Sequence, residues 1–162
     1  MKYLKIKFVF ILIILMMQEL VFGHCQVPCG IYDDKLRITI INEDLKTISK
    51  AMQKIKDLSN QSDPLAQNQI NRWIVKKEEH AQNIQEICSE YFLTQRIKEN
   101  SKNYSEKVAT LHKLLVSTMK CKQTIDHKNV NLSKTLLNSF IELYFNKHDV
   151  EDLKKLNNSN DN

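Results

Sequence analysis

The 162-residue chain has only two glycines, two prolines, one tryptophan and four cysteines. So few turn formers exclude a multistranded sheet, whose hairpins depend on Gly, Pro and Asn-Gly turns. They also leave no Gly-rich loop of the kind that cradles phosphate. No strand-like alternation, internal repeat or Ser-His-Asp arrangement stands out. Charge of one sign is scarce too. The 24 Lys and Arg against 19 Asp and Glu give +5. Lys2, Lys5, Lys7 and Glu19 account for +2 of it within residues 1–23, leaving +3 for the remainder. That balance, with Lys and Glu interspersed, is too mild for a nucleic-acid partner.

What the chain does have is helix-forming composition, rich in Leu, Ile, Lys, Glu, Gln and Asn. Apolar residues recur every three or four positions in four segments. The first runs from about Asp34 to Ser59, with Ile41, Leu45, Ile48, Met52 and Ile55 on one face. Asp63-Pro64 then supplies a cap followed by a first-turn proline. The second runs to about Thr94, carrying Ile70, Trp73, Ile74, Ala81, Ile84, Ile87 or Cys88, and Tyr91. The third runs from about Ser105 to Thr124, with Val108, Leu111, Leu115 and Met119 inward. The fourth, from about Asn131 to His148, carries Leu136, Phe140, Leu143 and Tyr144. These segments predict an all-α fold, an antiparallel four-helix bundle over residues 33–150 with a polar tail over 151–162 that frays at its final NNSNDN.

One long hydrophobic run stands at the start. Three lysines precede an unbroken apolar stretch from Phe8 to Met17, and Val21-Phe22-Gly23 offers a cut site. This is the pattern of a secretory signal peptide over residues 1–23. The run is short for a membrane span, which needs about 20 residues. The expectation is therefore an exported protein with no stable membrane association after cleavage, an uncleaved anchor being the alternative.

Cleavage after Gly23 makes His24 the amino terminus of "HCQVPCGIY", His24 to Tyr32, where half of the scarce Cys, Pro and Gly are spent. The His24 amine, the Cys25 backbone nitrogen and the Cys25 sulfur can form two fused chelate rings. Cys29 can close an N₂S₂ plane, and the His24 imidazole can reach an axial position. Thiolates with a deprotonated amide favour Ni(II) or Cu(II) over tetrahedral zinc. Pro28 fixes the turn that brings the sulfurs together, and Gly30 lets the chain leave it without a side-chain clash.

The stretch resembles the hook of nickel-containing superoxide dismutases, H-C-x-x-P-C-G-x-Y at a processed amino terminus. "RWIVKKEEHAQNIQEICSEYF", Arg72 to Phe92, resembles that family's second helix. The resemblance implies a nickel hook over residues 24–32 on a four-helix bundle, assembled as a homohexamer. It implies dismutation of superoxide, the substrate, to dioxygen and hydrogen peroxide through a Ni(III)/Ni(II) cycle. It further implies that His24, Cys25 and Cys29 are the nickel ligands, with the His24 imidazole axial, and that a cis peptide precedes Pro28. By the same resemblance Tyr32 and Tyr91 flank the open face, holding water or small anions and restricting access. The family holds its axial imidazole between a Glu and an Arg. Thr39 and His80 stand at those places here, and His80, Glu79 or Glu43 are the candidate substitutes. Gln26 replaces a commonly acidic residue.

A different reading is a secreted helical ligand-binding protein without metal, stapled by Cys25–Cys29 and Cys88–Cys121 disulfides. A third is a nickel or copper carrier using the hook without turnover. Disulfide and metal exclude each other at the hook, because the ligands must be thiolates.

Overall fold

The computed structural model describes residues 32–159. The leader and the hook residues His24, Cys25 and Cys29 lie outside that range, as does the Pro28 peptide. Helix α1 spans Asp34–Leu58, α2 Pro64–Glu86, α3 Tyr104–Gln123, α4 His127–Tyr144 and α5 Lys147–Ser159. A π-helical segment, Ile87–Arg96, continues α2. Helices α1 and α2, α2 and α3, α3 and α4, and α4 and α1 are neighbours, which closes a four-helix ring. Short connections make successive helices antiparallel.

Three starts are set by an aspartate that accepts from a free backbone N–H of the first turn. Asp33 accepts from Leu36, Asp63 from Leu65 and Ala66, and Asp126 from Lys128. Pro64 occupies the first turn of α2, as its sequence predicts. The core is the expected stripe of α1 (Ile41, Leu45, Ile48, Met52, extended by Ile38) packed on Ala81, Ile84, Leu111, Leu137 and Phe140. The rings of Phe92, Phe140 and Tyr144 meet at centroid distances of 5.0–5.5 Å.

Three expectations are corrected. In α3 the inward line is Lys107, Leu111, Leu114, Thr118 and Cys121, while Met119 is 40% exposed. Polarity was a poor guide there, because Thr118 satisfies its own hydroxyl on the Leu114 carbonyl at 2.7 Å and is buried at no cost in hydrogen bonds. The fourth helix stops at Tyr144 rather than His148, and the polar tail from residue 151 begins as helix. Asn146 caps a fifth helix by accepting from the Asp149 N–H at 3.0 Å. Helix α5 then buries Val150 and Leu153, the latter 1% exposed, and Lys35 of α1 pairs with Asp149 at 2.5 Å. Two buried apolar residues one turn apart, with that ion pair, dock the segment, whose other apolar residue, Leu156, is exposed. Finally, Cys88 and Cys121 are free buried thiols, not a staple.

Lys77 has the most unusual environment in the bundle. It is buried, and its ammonium donates to the carbonyls of Cys121 at 2.7 Å, Lys122, and Thr124 at 3.3 Å. These are carbonyls at the α3 C-terminus, where the helix offers partial negative charge and lacks intrahelical donors. Burial lowers the Lys77 pKa from its ordinary value. Replacing Lys77 by Met keeps the stem and removes the donors, and should cost about 1–3 kcal/mol of stability, read as a lowered urea midpoint. The thiols provide a second check. Cys88 and Cys121 should be inert to an aromatic disulfide reagent in the native protein and react at once in denaturant.

Candidate functional site

The segment bearing the hook joins the bundle at Tyr32, two residues before α1 begins. Directly behind it is a partly buried carboxylate, Asp34, the first residue of α1. Four hydrogen bonds converge on it. The Tyr91 hydroxyl donates to Oδ1 at 2.5 Å, and the Tyr144 hydroxyl donates to Oδ2 at 2.8 Å. The Arg96 guanidinium adds Nε to Oδ1 at 2.8 Å and Nη2 to Oδ2 at 2.7 Å. One carboxylate thus joins α1, the π-helical segment and the end of α4. Burial alone would raise the Asp34 pKa, but the bonds from Arg96, Tyr91 and Tyr144 outweigh it and hold the group below its ordinary value. Burial and the facing carboxylate push Tyr144 up to about 12 and raise Tyr91 further.

The π-helical segment explains how Arg96 reaches this point. In an α-helix five residues make about 1.4 turns, so Arg96 would leave the face that carries Tyr91. With i→i+5 bonding, as in Ile97 N–H to the Phe92 carbonyl at 2.9 Å, five residues come close to one turn. Ile87, Cys88, Tyr91 and Phe92 then share the buried face, and Arg96 follows Tyr91 onto Asp34.

Tyr32 and Tyr91 are brought together, as the sequence reading requires. Their rings meet edge to face at 5.9 Å, and Arg96 lies over the Tyr32 ring at 4.4 Å. Their environments differ sharply. Tyr32 is 40% exposed, and among the described residues its hydroxyl makes a long bond, 3.4 Å, to the Gln95 side-chain oxygen. Tyr91 is 1% exposed, with its proton committed to Asp34 and Arg37 over its ring. Beside them opens a cleft of ≈ 550 Å³, bordered by Tyr32, Asp34, Lys35, Tyr144 and Asp149.

Asp34, Arg96 and Tyr144 were missed in the sequence. Only Tyr144 gave a signal, as a core residue. A second cluster lies further along the bundle. Asp44 is buried, accepting from His80 Nδ1 at 2.6 Å and from Asn83 Nδ2 at 2.7 Å. Burial outweighs these bonds and raises the Asp44 pKa. Of the other candidate substitutes, Glu79 pairs with Lys76 at 2.6 Å. The Thr39 hydroxyl is spent on the Lys35 carbonyl.

Arg96→Leu should destabilise the protein by about 2 kcal/mol at neutral pH, because it leaves the Asp34 charge without its cation in a partly buried place. The folded pKa of Asp34 lies below its ordinary 3.8. The stability it contributes is therefore complete above that pH and fades as pH falls through the folded value. Urea midpoints of the two proteins should converge on acidification below about pH 4.

Among the described residues no group of three His, Cys, Asp or Glu is arranged to hold a metal. The sequence-predicted ligands His24, Cys25 and Cys29 precede Tyr32 in the chain and lie outside the described residues. A family model described as nickel-containing superoxide dismutase matches residues 19–148. No curated protein and no solved structure matches the chain. Since the matched stretch takes in the hook residues and runs through the first four helices, the chain belongs to the nickel-containing superoxide dismutase family and is an oxidoreductase that uses nickel to convert superoxide to dioxygen and hydrogen peroxide.

Proposed function

We propose that the mature enzyme begins at His24, and that its nickel is held by the His24 amine, the Cys25 amide and the Cys25 and Cys29 thiolates. Bound there, nickel would supply the one-electron couple that dismutation requires, and the His24 imidazole would be a further donor to it. The observation carrying this reading is the root of the hook. Tyr32, the last residue of the motif, stacks under Arg96 and against Tyr91, so the segment leaves the bundle from a fixed point. The Tyr32 hydroxyl offers a small anion a hydrogen bond at the cleft, with the Tyr91 ring packed behind it. His80 is the best partner for the His24 ring. An imidazole whose Nδ1 faces a carboxylate has a defined orientation and one remaining nitrogen for a second bond.

Export follows from the leader, whose removal creates the first ligand. No described helix is long and apolar enough to cross a membrane. A homohexamer is the assembly we favour, and exposed Leu65 and Val75 on α2 supply apolar surface for it to cover.

The test compares protein starting at His24, reduced and loaded with nickel, with the same protein carrying one extra Ala in front. The extra residue converts the amine to an amide and removes that donor. Dismutase activity in the first and its loss in the second is the expected result. Equal activity in both would overturn the amine-anchored hook. Absence of activity and of nickel binding from both would overturn the ligand assignment.

A further inference from the structure

The two tyrosines at the hook root are usually read as a matched pair, but the hydrogen bonds around them are unequal. A phenol has one proton to donate. That of Tyr91 goes to Asp34 Oδ1 at 2.5 Å, within a carboxylate that also receives Tyr144 and both nitrogens of Arg96. A charge-assisted bond of this length is among the stronger ones a side chain makes. Tyr91 therefore has no proton to offer an anion, and at 1% exposure it is packed beneath the surface. Tyr32 is different. It is exposed, and its bond to Gln95 is at the long limit and is readily exchanged for a better acceptor.

The same carboxylate governs charge. Arg96 lies over the Tyr32 ring at 4.4 Å, and an unpaired guanidinium there would be an anion trap. The bidentate bond to Asp34 offsets that charge locally and commits two of its donor nitrogens to the carboxylate.

We propose that Asp34 is a positioning residue of this enzyme. By accepting the hydrogen bonds of Tyr91 and of two Arg96 nitrogens, it leaves Tyr32 as the tyrosine of the pair that hydrogen-bonds an incoming small anion. A transient anionic substrate is thereby met by one tyrosine hydroxyl rather than by two, with Arg96 held to its carboxylate partner. This inference rests on the hook reading above, since it concerns what meets an anion at the hook.

Fluoride, an anion that accepts hydrogen bonds strongly, is the probe, with inhibition measured on the full nickel-loaded enzyme. Tyr32→Phe should weaken fluoride inhibition roughly tenfold, the loss expected for a hydrogen bond to a charge. Tyr91→Phe should change it by less than about twofold, because its proton is not on offer. In an Asp34→Asn background the Tyr91→Phe change should acquire an effect of its own, of about fivefold, as the freed hydroxyl turns to the anion. A second readout needs no nickel. Tyrosinate absorbance of the metal-free full chain should show two tyrosines ionising late, and Asp34→Asn should bring them down toward the ordinary range. Equal effects of Tyr32→Phe and Tyr91→Phe in the wild-type background would overturn the proposal, as would a tyrosinate titration unmoved by Asp34→Asn. If Asp34→Asn does not fold, the two single tyrosine variants still decide. If the wild-type chain neither binds nickel nor turns over, the hook reading has failed, and the metal-free titration judges Asp34 separately.

Discussion

A single carboxylate with four hydrogen-bond donors around it holds together the end of the molecule that carries the chemistry. Asp34 is where the chain changes from hook to helix, and its partners come from the π-helical segment and from the last turn of α4. Without it, Arg96 would be a partly buried cation beside an aromatic ring, and two tyrosine hydroxyls would need other acceptors. Such groups are costly when unpaired and stabilising when paired, so the cluster forms as a unit. The bundle beneath depends on ordinary packing of apolar stripes. The hook end depends on this ion pair and on the register that delivers Arg96 to it.

That register is a backbone property. The π-helical segment widens the turn between Tyr91 and Arg96, and so lets Tyr91, Phe92 and Arg96 serve the core and the cluster together. Such wide turns are rare and occur disproportionately at functional sites. Here the geometric consequence is visible: an uninterrupted α-helix would send Arg96 elsewhere.

The parts legible in the sequence were those written locally. Helical stripes recur at fixed intervals, Asp63-Pro64 is a cap within two residues, and the hook is a motif of nine. The inward faces of α1 and of the end of α2 followed directly. What escaped was non-local or depended on register. Asp34 lies 57 residues from Tyr91, 62 from Arg96 and 110 from Tyr144, and nothing in the linear pattern joins them. Asp44 carries no signal of its own in the sequence, since its partners His80 and Asn83 come from another helix. Helix α5 was hidden by its polar composition, since Val150 and Leu153 are too few to make a stripe. In α3, ranking by apolarity favoured Met119 over Thr118, because a hydroxyl that bonds its own helix looks polar in sequence and behaves as apolar in the core.

The free thiols of the core acquire a further meaning in an enzyme whose product is a peroxide. Peroxide oxidises thiolates, not thiols. Burial pushes the Cys88 pKa up to about 12 and raises that of Cys121 as well. At neutral pH the thiolate fraction of Cys88 is on the order of one in 10⁵. The bundle thus keeps these two sulfurs buried and protonated, the form that peroxide oxidises least, without a disulfide to protect them.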